Sequence, residues 1–314
     1  MQLDPIVKAF LDQLAAQPGP KMWEMEASNG RAMFVEMMKL VGPQNVACGE
    51  ITNVPAPGRA GDIPLRVYTP LGAGAEALPA LVFFHGGGFV IGDLETHDGL
   101  CRLLANESGA RVIAVDYRLA PEHKVPAAVE DAYDAVAWIA ENAEEFGIDA
   151  ERIAIGGDSA GGNLTAVVAQ LAKEKGVPKL AFQMLLFPAT RMGADTPSMR
   201  ERAEGYFLDR PTIDWFFGNY LGHESEKNDP RASPLLTADL SGLPPVFLMT
   251  GGYDPLHDEG VQYAERLREA RVPVTHADYP SMVHDFIYLH AILPPADEAI
   301  RGAAQALRGA LRKE

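Results

Sequence analysis

Ser159 sits in IAIGGDSAGGN, with Gly157 and Gly161 on either side, between a stretch that reads as a strand and one that reads as a helix. G-x-S-x-G in that setting forms a sharp strand-to-helix turn that lifts the serine hydroxyl into the open, while the flanking glycines avoid a clash. The chemistry this allows is nucleophilic attack on an acyl carbon. Upstream, LVFFHGGGFVIG runs from Leu81 to Gly92 and follows four apolar residues with His85 and three glycines. Glycine loses more backbone freedom on folding than any other residue, so such a run implies a need for bare backbone. An oxyanion hole has that need, because its N–H donors must lie about 3 Å from the developing negative oxygen. Gly86 to Gly88 can supply donors, with Gly87 and Gly88 favoured because Gly86 is nearest the strand end. The remaining donor is the N–H of Ala160, at a helix N-terminus whose dipole also favours negative charge.

A serine hydroxyl is a weak nucleophile, so a base and an orienting acid must accompany it, and in this kind of site they follow in the order acid, then histidine. VFLMTGGYDPLHDEG puts Asp254 in a loop after a strand, and ADYPSMVHDF puts His284 in a loop after the last strand. Both are carboxyl ends of strands, where open α/β sheets collect their ligands. The competitors fit less well. Asp258 reads as a residue that opens the next helix, and Asp285 is adjacent to His284 and is expected to point elsewhere. His257 is too close to Asp254 in the chain, His276 falls within a strand and His290 lies beyond the loop. His85 is expected to anchor its loop by hydrogen bonds. A dinucleotide fingerprint on Gly86 and Gly88 would need glycine where Ile91 stands, and neither loop continues into the Lys-Ser or Lys-Thr of a phosphate-binding loop. No HExxH or Cys/His cluster appears, so a metal site is not expected.

The elements that must hold these residues alternate. Asp4 and Pro5 open a helix with an apolar face of Ile6, Val7, Phe10, Leu11 and Leu14, which Pro18 to Pro20 stops. A second helical segment carries Met22, Trp23, Met25, Met33, Phe34, Met37 and Met38, a soft surface suited to a pocket wall or to core filling. ITNVPAPGRAGDIPLRVYTP reads as an antiparallel hairpin. Strands at Leu81, Arg111 and Arg152, and later LAFQMLLFP, VFLMTGG and VPVTHADY, alternate with helices, one of them starting after Pro126 and ending at Gly147. This rhythm predicts a mostly parallel sheet with helices on both faces. Arg191 to Leu243 breaks the rhythm with helical sequence around Asp209 to Leu221, a length usual for a functional insertion.

Composition narrows the partners. Of 314 residues 47% are hydrophobic and 22% charged, as in a globular protein with a large core. A formal charge of -16 argues against a nucleic-acid partner, which would need clustered Lys and Arg. Cys48 and Cys101 cannot build a disulfide framework. MQLDPIVKAF lacks the pattern of a secretory signal and no apolar run reaches membrane-spanning length, so the reading is a cytoplasmic protein without stable membrane insertion. The sequence is compatible with a homodimer.

HGGGF, DYRLAPEHKVPAA, GGDSAGGN, DPRASPLL, YDPLHDEG and MVHDF together resemble the hormone-sensitive-lipase-like family of bacterial carboxylesterases, in its GDSAG subfamily, from about residue 60 to the C-terminus. The resemblance implies an α/β-hydrolase fold with a helical cap: residues 1–45 and 191–243 as cap, 46–190 and 244–314 as the two parts of the core. It implies Ser159, Asp254 and His284 as triad, Gly87, Gly88 and Ala160 as oxyanion donors, and hydrolysis of short to medium acyl esters without a cofactor. Trp215, Phe216, Phe217, Ile287 and Tyr288 are expected, with the Met-rich segment, to line the acyl and alcohol pockets. Asp285 departs from the family, where glycine commonly follows the catalytic histidine, and a carboxylate lying close would raise the pKa of His284. The same triad serves an amidase, peptidase or arylformamidase, and related receptors that have lost the histidine bind small molecules without turnover.

Overall fold

A computed structural model describes residues 2–313, so residues 1 and 314, the outer ends of the expected first and last segments, lie outside it. Eight strands form one sheet: β1 (Ile51–Gly58), β2 (Gly61–Tyr68), β3 (Leu78–Phe84), β4 (Arg111–Val115), β5 (Ile148–Asp158), β6 (Phe182–Leu186), β7 (Val246–Gly251) and β8 (Val274–Tyr279). Their order is β1-β2-β4-β3-β5-β6-β7-β8. β1 and β2 make the expected hairpin, β2 also runs antiparallel to β4, and every later pairing is parallel. β3, β6 and β7 are apolar and buried almost throughout, as parallel strands covered on both faces must be, whereas edge strand β8 is half-buried.

The chain steps from β3 outward to β4 and then crosses back to β5 on the other side of β3. Loops leaving the carboxyl ends of β3 and β5 therefore diverge at a reversal of strand order, the place where open α/β sheets form a crevice. The loop after β3 carries the HGGG run and the loop after β5 carries Ser159.

Nine helices are described: α1 (Pro5–Ala16), α2 (Ala27–Val41), α3 (Asp98–Ser108), α4 (Ala127–Glu141), α5 (Ala160–Lys175), α6 (Pro197–Glu201), α7 (Arg210–Tyr220), α8 (His257–Glu269) and α9 (Pro294–Ala310). α3 and α9 cover one face of the sheet and are tied by Arg308 Nε donating to Ser108 O at 3.1 Å. α4, α5 and α8 cover the other, with Gln170 Nε2 donating to Tyr263 Oη at 3.1 Å between α5 and α8. Among the described residues no helix is long and apolar enough to cross a membrane.

α1 starts as expected, with Asp4 Oδ1 accepting the N–H of Ile6 at 2.8 Å and Pro5 in the first turn. Two expected boundaries move. The Met-rich segment is split into a 3-10 turn, Met22–Glu24, and α2, and α4 stops at Glu141 because the chain turns at Asn142 before Gly147 adopts φ +58. α1 and α2 meet the 191–243 segment above the strand ends. Phe10 and Phe207 lie 6.0 Å apart, and Trp215 Nε1 donates to Met25 O at 3.2 Å.

Candidate active site

Ser159 stands between β5 and α5 with φ 53 and ψ -112, a conformation costing on the order of 1–3 kcal/mol for a residue with a side chain. The surroundings hold it there: its N–H donates to Leu186 O at 2.8 Å, and its carbonyl accepts from Asn163 at 3.0 Å and Ala189 at 3.2 Å. Gly161 is indispensable to this turn, since a Cβ there would collide with Phe84 O. β7 delivers Asp254 and β8 delivers His284 beside it. His284 Nδ1 donates to Asp254 Oδ2 at 2.6 Å, and His284 Nε2 lies 2.9 Å from Ser159 Oγ. Asp254 is fixed in turn, because its Oδ1 accepts the N–H of Leu256 at 2.8 Å. All three side chains belong to buried residues.

The glycine run divides its amides. Gly86 N–H is spent inward, on Asp158 Oδ1 at 3.0 Å. Gly87 and Gly88 turn through φ +114 and +58, and neither donates its N–H to another group among the described residues. A side chain at Gly88 would run into the Phe216 ring. Of the three amides, that of Gly86 is the one already committed to a partner among the described residues.

A family model described as alpha/beta hydrolase fold matches residues 81–288. The chain belongs to that family. Carboxylic ester hydrolase LipN of Mycobacterium tuberculosis (strain ATCC 25618 / H37Rv) is 49% identical over 246 residues, 76% of this chain and 65% of that protein. The chain thus spans just under two thirds of that relative's length. Ethyl acetate hydrolase of Pseudomonas putida is 38% identical over 315 residues, covering 98% of this chain and 99% of its own. Among solved structures, the hyperthermophilic esterase of Pyrobaculum calidifontis superposes with a TM-score of 0.94 at 42% identity, covering 98% of this chain and 99% of that one. The resemblance to hormone-sensitive-lipase-like carboxylesterases therefore holds.

The electrostatics of the site centre on His284. Burial alone would lower its pKa, but the carboxylates of Asp254 and Asp285 outweigh burial and raise it to about 9. Asp285 does not point elsewhere, as its adjacency to His284 led one to expect. Its backbone adopts φ +56, the left-handed region that glycine favours, and this swings Oδ1 to 3.6 Å from His284 Nε2. Burial pushes the Asp285 carboxyl up to about 6, against the pull of His284.

Asp158, the second residue of the GDSAG motif, is a member of the site that sequence reasoning missed. It is fully buried and accepts from Gly86 N–H and from Tyr288 Oη at 3.0 Å each, with His97 Nε2 3.3 Å away. Burial would raise its pKa, but His97, His85 and the Tyr288 hydroxyl hold the carboxyl below its ordinary value. Asp158 therefore joins the glycine turn to the 3-10 turn Phe286–Leu289 that follows His284. The only local signal for this is a carboxylate that closes the apolar run Ile153 to Gly157 at the end of β5.

His85 anchors its loop, as expected: its Nδ1 donates to Gly86 O at 2.7 Å, and its ring stacks on Tyr117 at 4.2 Å. His276 lies in β8, bonded to Thr250, and His257 opens α8 between Asp258 and Asp278. The expected pocket walls divide. A cavity of about 10 Å³, room for roughly one water, lies beside His284 and Asp285, and Tyr288, Phe34, Met37 and Met38 line it. Phe216 covers Gly88. Trp215, Phe217 and Ile287 are not part of that cavity: Trp215 joins α7 to the Met22–Glu24 turn and to Gly30, Phe217 packs on the core, and Ile287 is within the core. Among the described residues no group of three His, Cys, Asp or Glu side chains is gathered as a metal site.

Proposed function

We propose that this chain is a serine carboxylesterase that hydrolyses small esters of short to medium acyl chains through an acyl-enzyme. The observation that carries the reading is the unbroken relay Asp254, His284, Ser159, with contacts of 2.6 and 2.9 Å, opening toward the uncommitted amides of Gly87 and Gly88. Ser159 Oγ attacks the ester carbonyl while His284 Nε2 takes the hydroxyl proton, and Asp254 holds the imidazole tautomer and stabilises its positive charge. The carbonyl oxygen becomes an oxyanion facing the N–H groups of Gly87, Gly88 and Ala160, the last at the positive end of α5. Collapse breaks the ester C–O bond, and His284 hands its proton to the departing alcohol. Water then attacks the acyl carbon as His284 takes its proton; the C–Oγ bond breaks and the proton returns to Ser159.

In this reading residues 1–45 and 191–243 form a cap over the crevice, and Phe216, which lies against Gly88, bounds the substrate. Initial rates on p-nitrophenyl esters from acetate to palmitate, beside matched p-nitroanilides, test the proposal. The expected result is a maximum at short or medium acyl chains, weaker turnover of anilides, and a loss of about 10³-fold or more in Ser159→Ala. Faster anilide than ester turnover would point to an amidase. An unaffected Ser159→Ala, or no turnover at all, would overturn the reading.

A further inference from the structure

Arg31, on α2, crosses from the N-terminal helices to the glycine turn. Its Nε donates to Val90 O at 2.8 Å, its Nη2 donates to Ala120 O at 2.8 Å, and its fork closes on Glu122 at 3.0 and 2.5 Å. Val90 and Ala120 are both fully buried. Those carbonyls belong to the frame of the turn itself. Val90 N–H and Ile91 N–H both donate to Gly87 O at 3.0 Å, and Ala120 N–H donates to Phe89 O at 2.9 Å, where Phe89 is held at φ +65. A non-glycine residue in that region is strained and persists only where its surroundings over-determine it. The preceding residue, Gly30, lets α2 come close: a Cβ there would stand 2.9 Å from Met22 Sδ and 3.3 Å from Trp215.

Asp158 grips the turn from inside through Gly86, and Arg31 grips it from outside through Val90 and Ala120. The ion pair itself is modest, since the Glu122 side chain is 54% exposed. What Arg31 adds is geometry. A planar guanidinium can serve two backbone carbonyls and a carboxylate at once, whereas a lysine ammonium on a flexible stem cannot reproduce that fork. Hydrogen bonding to Arg31 holds the Glu122 carboxyl down at about 2, so the clasp persists across the working pH range.

We propose that Arg31 is a positioning residue for the oxyanion hole: by clasping Val90 and Ala120 it keeps the Gly87 and Gly88 amides aimed at the developing oxyanion, so that the N-terminal helices govern the chemical step. This rests on the serine-esterase reading above. A donor lost outright from an oxyanion hole costs about 10²–10³ in kcat, and a loosened frame should cost less, about 10- to 100-fold.

The test compares wild type with Arg31→Ala and Arg31→Lys on a p-nitrophenyl ester, and measures inhibition by an aryl trifluoromethyl ketone, whose Ser159 adduct places an oxyanion in the hole. Arg31→Ala should lose about 10- to 100-fold in kcat with KM changed less than about threefold. Its affinity for the ketone should fall by the same factor as kcat/KM, and guanidinium ion should restore part of the rate. Arg31→Lys should fall between the two, and serves alone if the alanine variant does not fold. Unchanged kcat, a loss confined to KM, or a ketone affinity equal to wild type would overturn the proposal. Inactive wild type, or active Ser159→Ala, would instead sink the esterase reading beneath it.

Discussion

The loops after β3 and β8 each carry a buried histidine, 3% exposed in both cases and bonded through Nδ1, yet the two rings are driven to opposite ends of the imidazole range. His85 is lowered to about 4, first by burial and then by the neighbouring His97, and its Nδ1 meets the Gly86 carbonyl and the Tyr117 hydroxyl, with no carboxylate bonded to it. His284 is raised to about 9 against the same burial because Asp254 and Asp285 face it. Burial is common to both, so the carboxylates decide which ring can carry a proton. His85 is the more conspicuous in the sequence, next to three glycines, but it serves the frame of the glycine turn.

The largest effect should come from dismantling the carboxylate side of this contrast. Asp254→Asn leaves the shape but presents an amide that can donate to Nδ1 and so favours the wrong tautomer. kcat should fall by about 10⁴-fold, measured on the best ester; a loss under tenfold would mean that Asp254 does not orient the base.

Asp285→Asn sharpens the contrast at intermediate size. His284 must be neutral to take the serine proton, so a raised pKa withholds activity until the pH approaches about 9. Removing one anion lowers that pKa, and the rising limb of kcat/KM against pH should move toward lower pH by about one unit. Activity at pH 7 should therefore rise. A limb that stays in place, or moves upward, would show that the carboxylate 3.6 Å away is not felt by the base.

His85→Asn should be the mildest. Losing the ring's stacking and bonding in a buried loop should cost about 1–3 kcal/mol of stability in denaturant unfolding, with kcat reduced less than about tenfold. The inflection of kcat/KM against pH should not move. A shifted inflection would make His85 part of the titrating machinery and erase the distinction between the two loops.

Much of this site was legible because its signals are local. Strand, Gly157, Ser159, Gly161 and helix follow one another in the chain, and Asp254 and His284 lie just beyond apolar strands. α7 also falls within the stretch expected from Asp209 to Leu221. What was not legible depends on partners distant in sequence or on backbone angle. Arg31 reaches acceptors 59 and 89 residues away, and Asp158 accepts from Tyr288, 130 residues on. The direction of Asp285 depends on a left-handed φ that adjacency to His284 does not reveal. The break at Met25 between the 3-10 turn and α2 has no Gly or Pro to announce it, and it is held by Trp215 from another segment.

The central claim is that Ser159 is the nucleophile, activated by His284. Its most direct test is intact-mass and peptide mapping after reaction with a fluorophosphonate, in wild type and in Ser159→Ala, with ester hydrolysis followed in parallel. The expected result is one adduct per chain, on the peptide that contains Ser159, formed in step with loss of activity and absent from the variant. An adduct on another residue, or full inactivation without modification of Ser159, would contradict it.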